Sequence, residues 1–276
     1  MLKLSNILSI SILILVITFS GCGGGGGNNG TAPTPNPTQP PAGNGVTDDT
    51  ITSNNGYVLV NNGGQNYIVQ NNVLSSTGIT QTITYSGNNF KVTAFNGESP
   101  TNAAPGSFPS VFIGKCRANV TPSVGLPKQN SSCSTIPVSW SWSATSVSGT
   151  YNALFELWFS TNSSGDSGEP SGGKLIVWLV KPSGPQPTGS IIKYNVSISS
   201  GSYNVWYGTL NGTPCVTYVT QSTDSDVAID LNLFIKDAIS QGYITNSHYL
   251  TTIFAGFQIW KGGVGLESKS LSIHVN

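Results

Sequence analysis

The chain has 276 residues, of which only 8% are charged, and eleven Lys and Arg balance eleven Asp and Glu for a formal net charge of zero. Such a chain offers no electrostatic footprint for nucleic acid, which is excluded as a partner, and it lacks the Lys- and Glu-crowded surface usual in cytosolic housekeeping enzymes. Six Trp, ten Tyr and ten Phe supply the apolar area for a real core, enough for one all-β domain over about 220 residues.

Residues 1–22 read as an export signal. Lys3 supplies a positive start, and Ile7 to Phe19 is a mostly apolar run too short for a settled membrane span. Phe19-Ser20-Gly21-Cys22 resembles a bacterial lipoprotein processing site, with Cys22 as the lipidated residue, although Phe19 departs from the usual Leu. The alternative is a plain secreted protein that loses Cys22 with its signal peptide. Both place the protein outside the cytoplasm, touching a bacterial membrane through a lipid anchor only or not at all. Residues 23–55, glycine-rich and then rich in Pro, Thr and Asn, read as a tether. Residues 56–276 remain as the folded domain.

Along that domain, period-two alternation predicts strands separated by Gly, Asn, Pro and Ser clusters. They are expected at Tyr67 to Gln70, Phe90 to Phe95, Ser107 to Gly114, Val138 to Trp142 and Tyr151 to Ser160. Further strands are expected at Lys174 to Val180, Tyr194 to Ser199, Tyr203 to Gly208, Cys215 to Thr220, Leu250 to Trp260 and Ser268 to Val275. Many short strands with regular turns imply a two-sheet β-sandwich or jelly roll. Asp230 to Gln241 breaks the pattern: Leu231, Phe234, Ile235, Ala238 and Ile239 recur at helical spacing, with Asp230 placed to cap the start and Gly242 to end it. One helix packed on a sheet is expected there.

Export permits a disulfide. Cys116 and Cys133 flank a short Pro/Ser loop and are the expected pair, leaving Cys215 as a buried free thiol. His248 and His274 are isolated and read as structural. No metal-ligand spacing and no phosphate loop are present, so neither metal nor cofactor is expected, and the protein is expected to be a monomer.

Three strand faces mix tryptophan with a polar or charged residue. Asn152, Leu154, Glu156 and Trp158 share one face, Lys174, Ile176 and Trp178 a second, and Phe254, Gly256, Gln258 and Trp260 a third. These faces suit a concave cleft that stacks aromatic rings on sugars. They equally suit core tryptophans with charges at strand ends, and the pattern leaves both open.

Six ordered segments then carry a specific resemblance. They are YIVQNN from Tyr67 to Asn72, PTNAAPGSFPS over 100–110, YNALFELW from Tyr151 to Trp158, KLIVWL from Lys174 to Leu179, GPQPTG from Gly184 to Gly189, and YLTTIFAGFQIWKGG from Tyr249 to Gly263. In this order, with a helix just before the last, they resemble glycoside hydrolase family 12, the β-jelly-roll endoglucanases and xyloglucanases. The resemblance implies a cleft for β-1,4-linked glucan or a related polysaccharide, with Trp158, Trp178, Trp206, Trp260 and Asn72 as substrate-binding positions. It also implies retaining hydrolysis by two glutamates whose carboxyls stand roughly 5–5.5 Å apart. Here the nucleophile position holds Lys174, the acid/base position holds Gln258, and Glu156 stands where the family has an assisting Asp. Leu74 replaces a stacking Trp, and Ile259 replaces the Pro after the acid/base.

Lysine repels an oxocarbenium-like transition state, and an amide has no proton to give near neutral pH. No Glu lies one or two residues away on either face. The sequence therefore predicts a surface lipoprotein that binds a glycan or keeps a scaffold role. Two alternatives stand beside it: an active endo-β-1,4-glucanase with a rearranged site, using Glu156 with Glu169, and a protein-interaction module on the same sandwich.

Overall fold

The computed structural model describes residues 46–47, 49–75, 78–165 and 168–276; the export signal, Cys22, most of the tether, Asp48 and Asp166 lie outside the described residues. In chain order the strands are β1 (Val46–Thr47), β2 (Thr50–Ile51), β3 (Tyr57–Asn62), β4 (Gln65–Gln70), β5 (Thr80–Ser86), β6 (Asn89–Asn96), β7 (Ser110–Cys116), β8 (Asn119–Val120) and β9 (Lys128–Gln129). They continue as β10 (Pro137–Ser143), β11 (Gly149–Ser160), β12 (Gly173–Trp178), β13 (Ser190–Ile198), β14 (Gly201–Leu210), β15 (Thr213–Thr220) and β16 (Asp226–Asp230). The helix α1 (Leu231–Ser240) follows, then β17 (Tyr249–Gly262) and β18 (Glu267–Ile273).

Two sheets form. A seven-stranded sheet runs β1-β2-β5-β6-β18-β10-β16, and an eleven-stranded sheet runs β13-β14-β15-β12-β11-β17-β7-β4-β3, with β8 on β7 and β9 on β17. The expected two-sheet jelly roll with one helix is the architecture found. Between the sheets lies one large core. Trp140 of β10 meets Phe155 of β11 and Phe257 of β17, each with ring centroids 5.5 Å apart. Its indole nitrogen donates to Ser268 Oγ at 2.9 Å, so the largest buried ring keeps no orphan polar atom.

The helix is set as its sequence dictates. Asp230 accepts from the Asn232 backbone N–H, satisfying an orphan donor of the first turn. Phe234 stands edge-on to Tyr203 of β14 and Tyr218 of β15, at 5.1 and 5.3 Å. That face of β14 and β15 belongs to the inter-sheet core cluster, so α1 covers the larger sheet where the smaller one has ended.

Two expectations need correction. The domain begins before residue 56: Thr50 and Ile51 pair with Thr84 and Ile83 of β5, and Ile51 is fully buried. The Cys116–Cys133 disulfide is not formed. All three described cysteines are free and buried. Cys116 ends β7 on the side of the larger sheet away from the inter-sheet core, while Cys133 packs inside that core, so their proximity in sequence does not bring them together.

Candidate functional site

Strand β11 shows how the site is made. Ala153, Phe155, Leu157 and Phe159 point into the inter-sheet core, which leaves Asn152, Leu154, Glu156 and Trp158 on the opposite face. The same alternation in β12 presents Lys174, Ile176 and Trp178, and in β17 presents Phe254, Gly256 and Gln258. Gly256 is required there, because a Cβ would stand 2.4 Å from the Pro109 carbonyl oxygen. Lys174, Glu156, Trp158, Trp178, Gln258 and Trp260 all line one cleft of about 580 Å³. The three faces meet at one cleft, and Trp158 and Trp178 are at the same time buried in an apolar cluster with Leu154 and Phe254.

At its floor Lys174 Nζ lies 3.0 Å from Glu156 Oε1. Register explains the contact: Lys174 is opposite Trp158 and Glu156 is opposite Ile176, so the lysine reaches its partner diagonally across two strands. Trp158 Nε1 donates to the same Oε1 at 2.6 Å, and the ammonium stands 4.8 Å from the Trp158 ring centroid. Burial works against charge on Lys174, but the charge and hydrogen bond of Glu156 outweigh it and hold the ammonium above its ordinary pKa. The contact is a part-buried ion pair, with Glu156 buried and Lys174 half-buried.

Gln258 is half-buried and stands opposite Asn152 in the β11–β17 register. Asn152 is fully buried, with neither amide atom hydrogen-bonded. The rim carries the second carboxylate of the cleft, Glu169, which Arg117 Nε holds at 3.0 Å. Arg117 is the chain's single arginine. That rarity was the only sequence signal for this clasp, which strand alternation does not reveal. Among the described residues, Glu156 and Glu169 are the acids that line the cleft, and each is paired with a cation.

The thiols do not supply a nucleophile. Cys116 and Cys215 both line the cleft, and burial pushes their pKa values up to about 12 and about 11, which leaves them protonated near neutrality. No group of His, Cys, Asp and Glu among the described residues could hold a metal ion.

The expected sugar-binding residues divide. Trp158, Trp178 and Trp260 line the cleft but are only 8%, 3% and 3% exposed. They form its walls more than open stacking platforms, and Trp260 Nε1 pins the neighbouring loop through the Ala103 carbonyl at 2.9 Å. Trp206 does not line the cleft; it is half-buried on β14, packed against the cluster beneath. Asn72 lines the cleft, and so does Leu74, which is 45% exposed.

Comparison with known proteins agrees with this architecture. The family model for glycosyl hydrolase family 12 matches residues 65–276. A xyloglucan-specific endo-beta-1,4-glucanase A from Emericella nidulans is 29% identical over 152 residues, covering 54% of this chain and 62% of the relative. The chain thus spans less than two thirds of that relative's length. Among solved structures, the endo-1,4-beta-glucanase CelB2 superposes with a TM-score of 0.76 at 30% identity, covering 83% of this chain and all of that one. Endoglucanase cel12A from Rhodothermus marinus gives 0.74 at 28% identity, covering 82% and 98%.

Proposed function

Because the chain belongs to glycosyl hydrolase family 12, we propose that its cleft receives a β-1,4-linked glucan or related polysaccharide and holds it without hydrolysis. The protein acts outside the cytoplasm, anchored through lipid on Cys22 or secreted. The names of its relatives, an endoglucanase and a xyloglucan-specific glucanase, support the choice of ligand.

One observation carries the non-catalytic reading: the 3.0 Å contact between Lys174 and Glu156. Retention requires a free carboxylate to attack the anomeric carbon and a second carboxylic acid to protonate the leaving oxygen. Here the carboxylate of the floor is committed to an ammonium and an indole N–H. An ammonium beside the sugar ring also opposes the positive charge that develops there. Gln258 can donate a hydrogen bond but cannot transfer a proton near neutrality.

Glu156 and Glu169 line the same cleft, which favours an active, rearranged site as the second reading. The two separate cleanly in experiment. Purified protein is run in native gels containing barley β-glucan or xyloglucan and assayed for new reducing ends on the same polymers. Retardation without reducing ends is expected. Turnover that disappears in Glu156→Gln would overturn the proposal.

A further inference from the structure

The cleft is not the last cavity on this side of the molecule. Val219 of β15 is opposite Trp178 of β12, and Asn204 of β14 is opposite Val219, so the same face of the sheet continues past the cleft wall. There a second cavity of about 280 Å³ is lined by Lys181, Asn204, Val219, Thr220, Gln221 and Thr223. Lys181 begins the segment that goes on to Gln186, Pro187 and Thr188, which line the main cleft.

The chemistry of this cavity differs from that of the cleft. No acidic residue lines it. Lys181 is exposed and, like Lys128, Lys193, Lys236 and Lys269, has no carboxylate within 4.0 Å among the described residues; among these lysines it is the one that lines a cavity. Local hydrogen bonds occupy much of the lining, Gln221 Nε2 donating to Asn195 Oδ1 and Ser202 Oγ. Asn204 Oδ1 accepts from the Asn195 backbone N–H at 3.2 Å, which leaves its amino group as a donor. Thr220 Oγ1 donates to the Ser222 carbonyl at 2.7 Å and accepts from the Ser222 N–H at 3.2 Å. An uncompensated ammonium beside a free amide N–H calls for an anionic acceptor.

We propose that this cavity is an accessory subsite for a carboxylate on a sugar attached to, or contiguous with, the polysaccharide in the cleft. It rests on the reading of the cleft as a glycan site. The neutral backbone lies in the cleft, and its acidic substituent reaches Lys181 and Asn204. Trp206, which follows Asn204 on the same face of β14 and stands opposite Thr217 of the cleft, supplies apolar surface between the two. Because the chain's net charge is zero, general attraction to a polyanion is not expected, and a preference for the acidic polymer must come from a local group.

The test is calorimetric titration of the full chain, at low salt, with carboxymethyl cellulose and with hydroxyethyl cellulose, which share a backbone and differ in charge. Lys181→Gln is compared with Lys236→Gln, a control on the exposed side of α1. An exposed charge contact accounts for about threefold to fivefold in affinity. The unmodified protein is expected to prefer the carboxymethyl polymer by about that factor. Lys181→Gln should abolish the preference and leave hydroxyethyl cellulose binding unchanged, while Lys236→Gln changes neither. Equal binding of both polymers by the unmodified protein overturns the accessory subsite and leaves the neutral-glycan reading intact. Binding of neither polymer overturns both. A preference lost equally in Lys236→Gln shows long-range charge and also overturns the subsite.

Discussion

Lys174 and Glu156 form a unit whose members depend on each other. Glu156 is 4% exposed, and its Oε1 takes hydrogen bonds from Lys174 Nζ and Trp158 Nε1. Desolvation of such a pair offsets much of its attraction, so replacing both charges is tolerated better than stranding one. Glu156→Gln alone should therefore destabilise by roughly 3 kcal/mol. Adding Lys174→Met should recover part of the loss, giving a coupling on the order of 1–2 kcal/mol in urea denaturation. Strict additivity would refute the unit.

The pair also has a pH signature. Folding raises the Lys174 pKa, so its stabilisation is fully present below the unfolded value near about 10.4 and is lost as pH rises through the higher folded value. The buried tyrosines Tyr67 and Tyr203 and the half-buried Tyr151, whose pKa values burial also raises, weaken the fold in the same alkaline range. The difference between the unmodified protein and Lys174→Met isolates the lysine: it should be flat from neutrality to about pH 10 and shrink above that.

At the scale of elements, legibility followed side-chain chemistry. Strands β11, β12 and β17 were readable because each alternates large apolar residues with a distinct second face. Strand β5 was not. Its sequence TQTITYS reads as a polar stretch, yet Gln81 is buried, donating to Asn71 Oδ1 at 2.7 Å and accepting from Ser107 Oγ at 2.7 Å. A satisfied buried amide cannot be told from a loop residue in sequence. Strand β7 begins at Ser110, later than expected, since Pro109 has no N–H for the ladder. Strand β16 has only five residues and runs directly into the helix cap. The cleft itself was legible as faces, but Arg117, and Lys181 at the second cavity, lie outside the strands, where alternation encodes nothing.

The helix start invites its own measurement. Asp230 Oδ1 accepts from the Asn232 N–H at 2.9 Å and from the Ile136 N–H at 2.7 Å, tying α1 to the approach of β10. Asp230→Ala strands both donors, one at the helix end and one at the sheet end. A loss of about 1–2 kcal/mol is expected in chemical denaturation, whereas Asp230→Asn should retain most of it. Equal losses in the two variants would show that the cap is not the cause.

At the scale of the whole molecule, the sandwich supplies a rigid floor on which chemistry can be exchanged without changing the fold. Lys174 on β12 and Gln258 on β17 line the same cleft with β11 between them. Lys174→Glu together with Gln258→Glu would put two carboxyls where the family resemblance places nucleophile and acid/base. Each single change should remain inactive, because covalent retention needs both an attacking carboxylate and a proton donor. Lys174→Glu alone also sets a second carboxylate beside Glu156, which raises the pKa of the pair and costs stability. Gln258→Glu places its carboxyl opposite the unpartnered amide of Asn152, a ready hydrogen-bond partner that would help orient it. The double variant should release reducing ends from barley β-glucan or xyloglucan faster than either single variant. It should stay well below a native relative, since Leu74 stands where the resemblance places a stacking Trp, and Glu156 is a methylene longer than the family's Asp, enough to misplace the reacting groups. A folded double variant with no turnover above the singles would mean that the two positions do not address one glycosidic bond, and the descent of this cleft from a catalytic one would then lie in its shape alone.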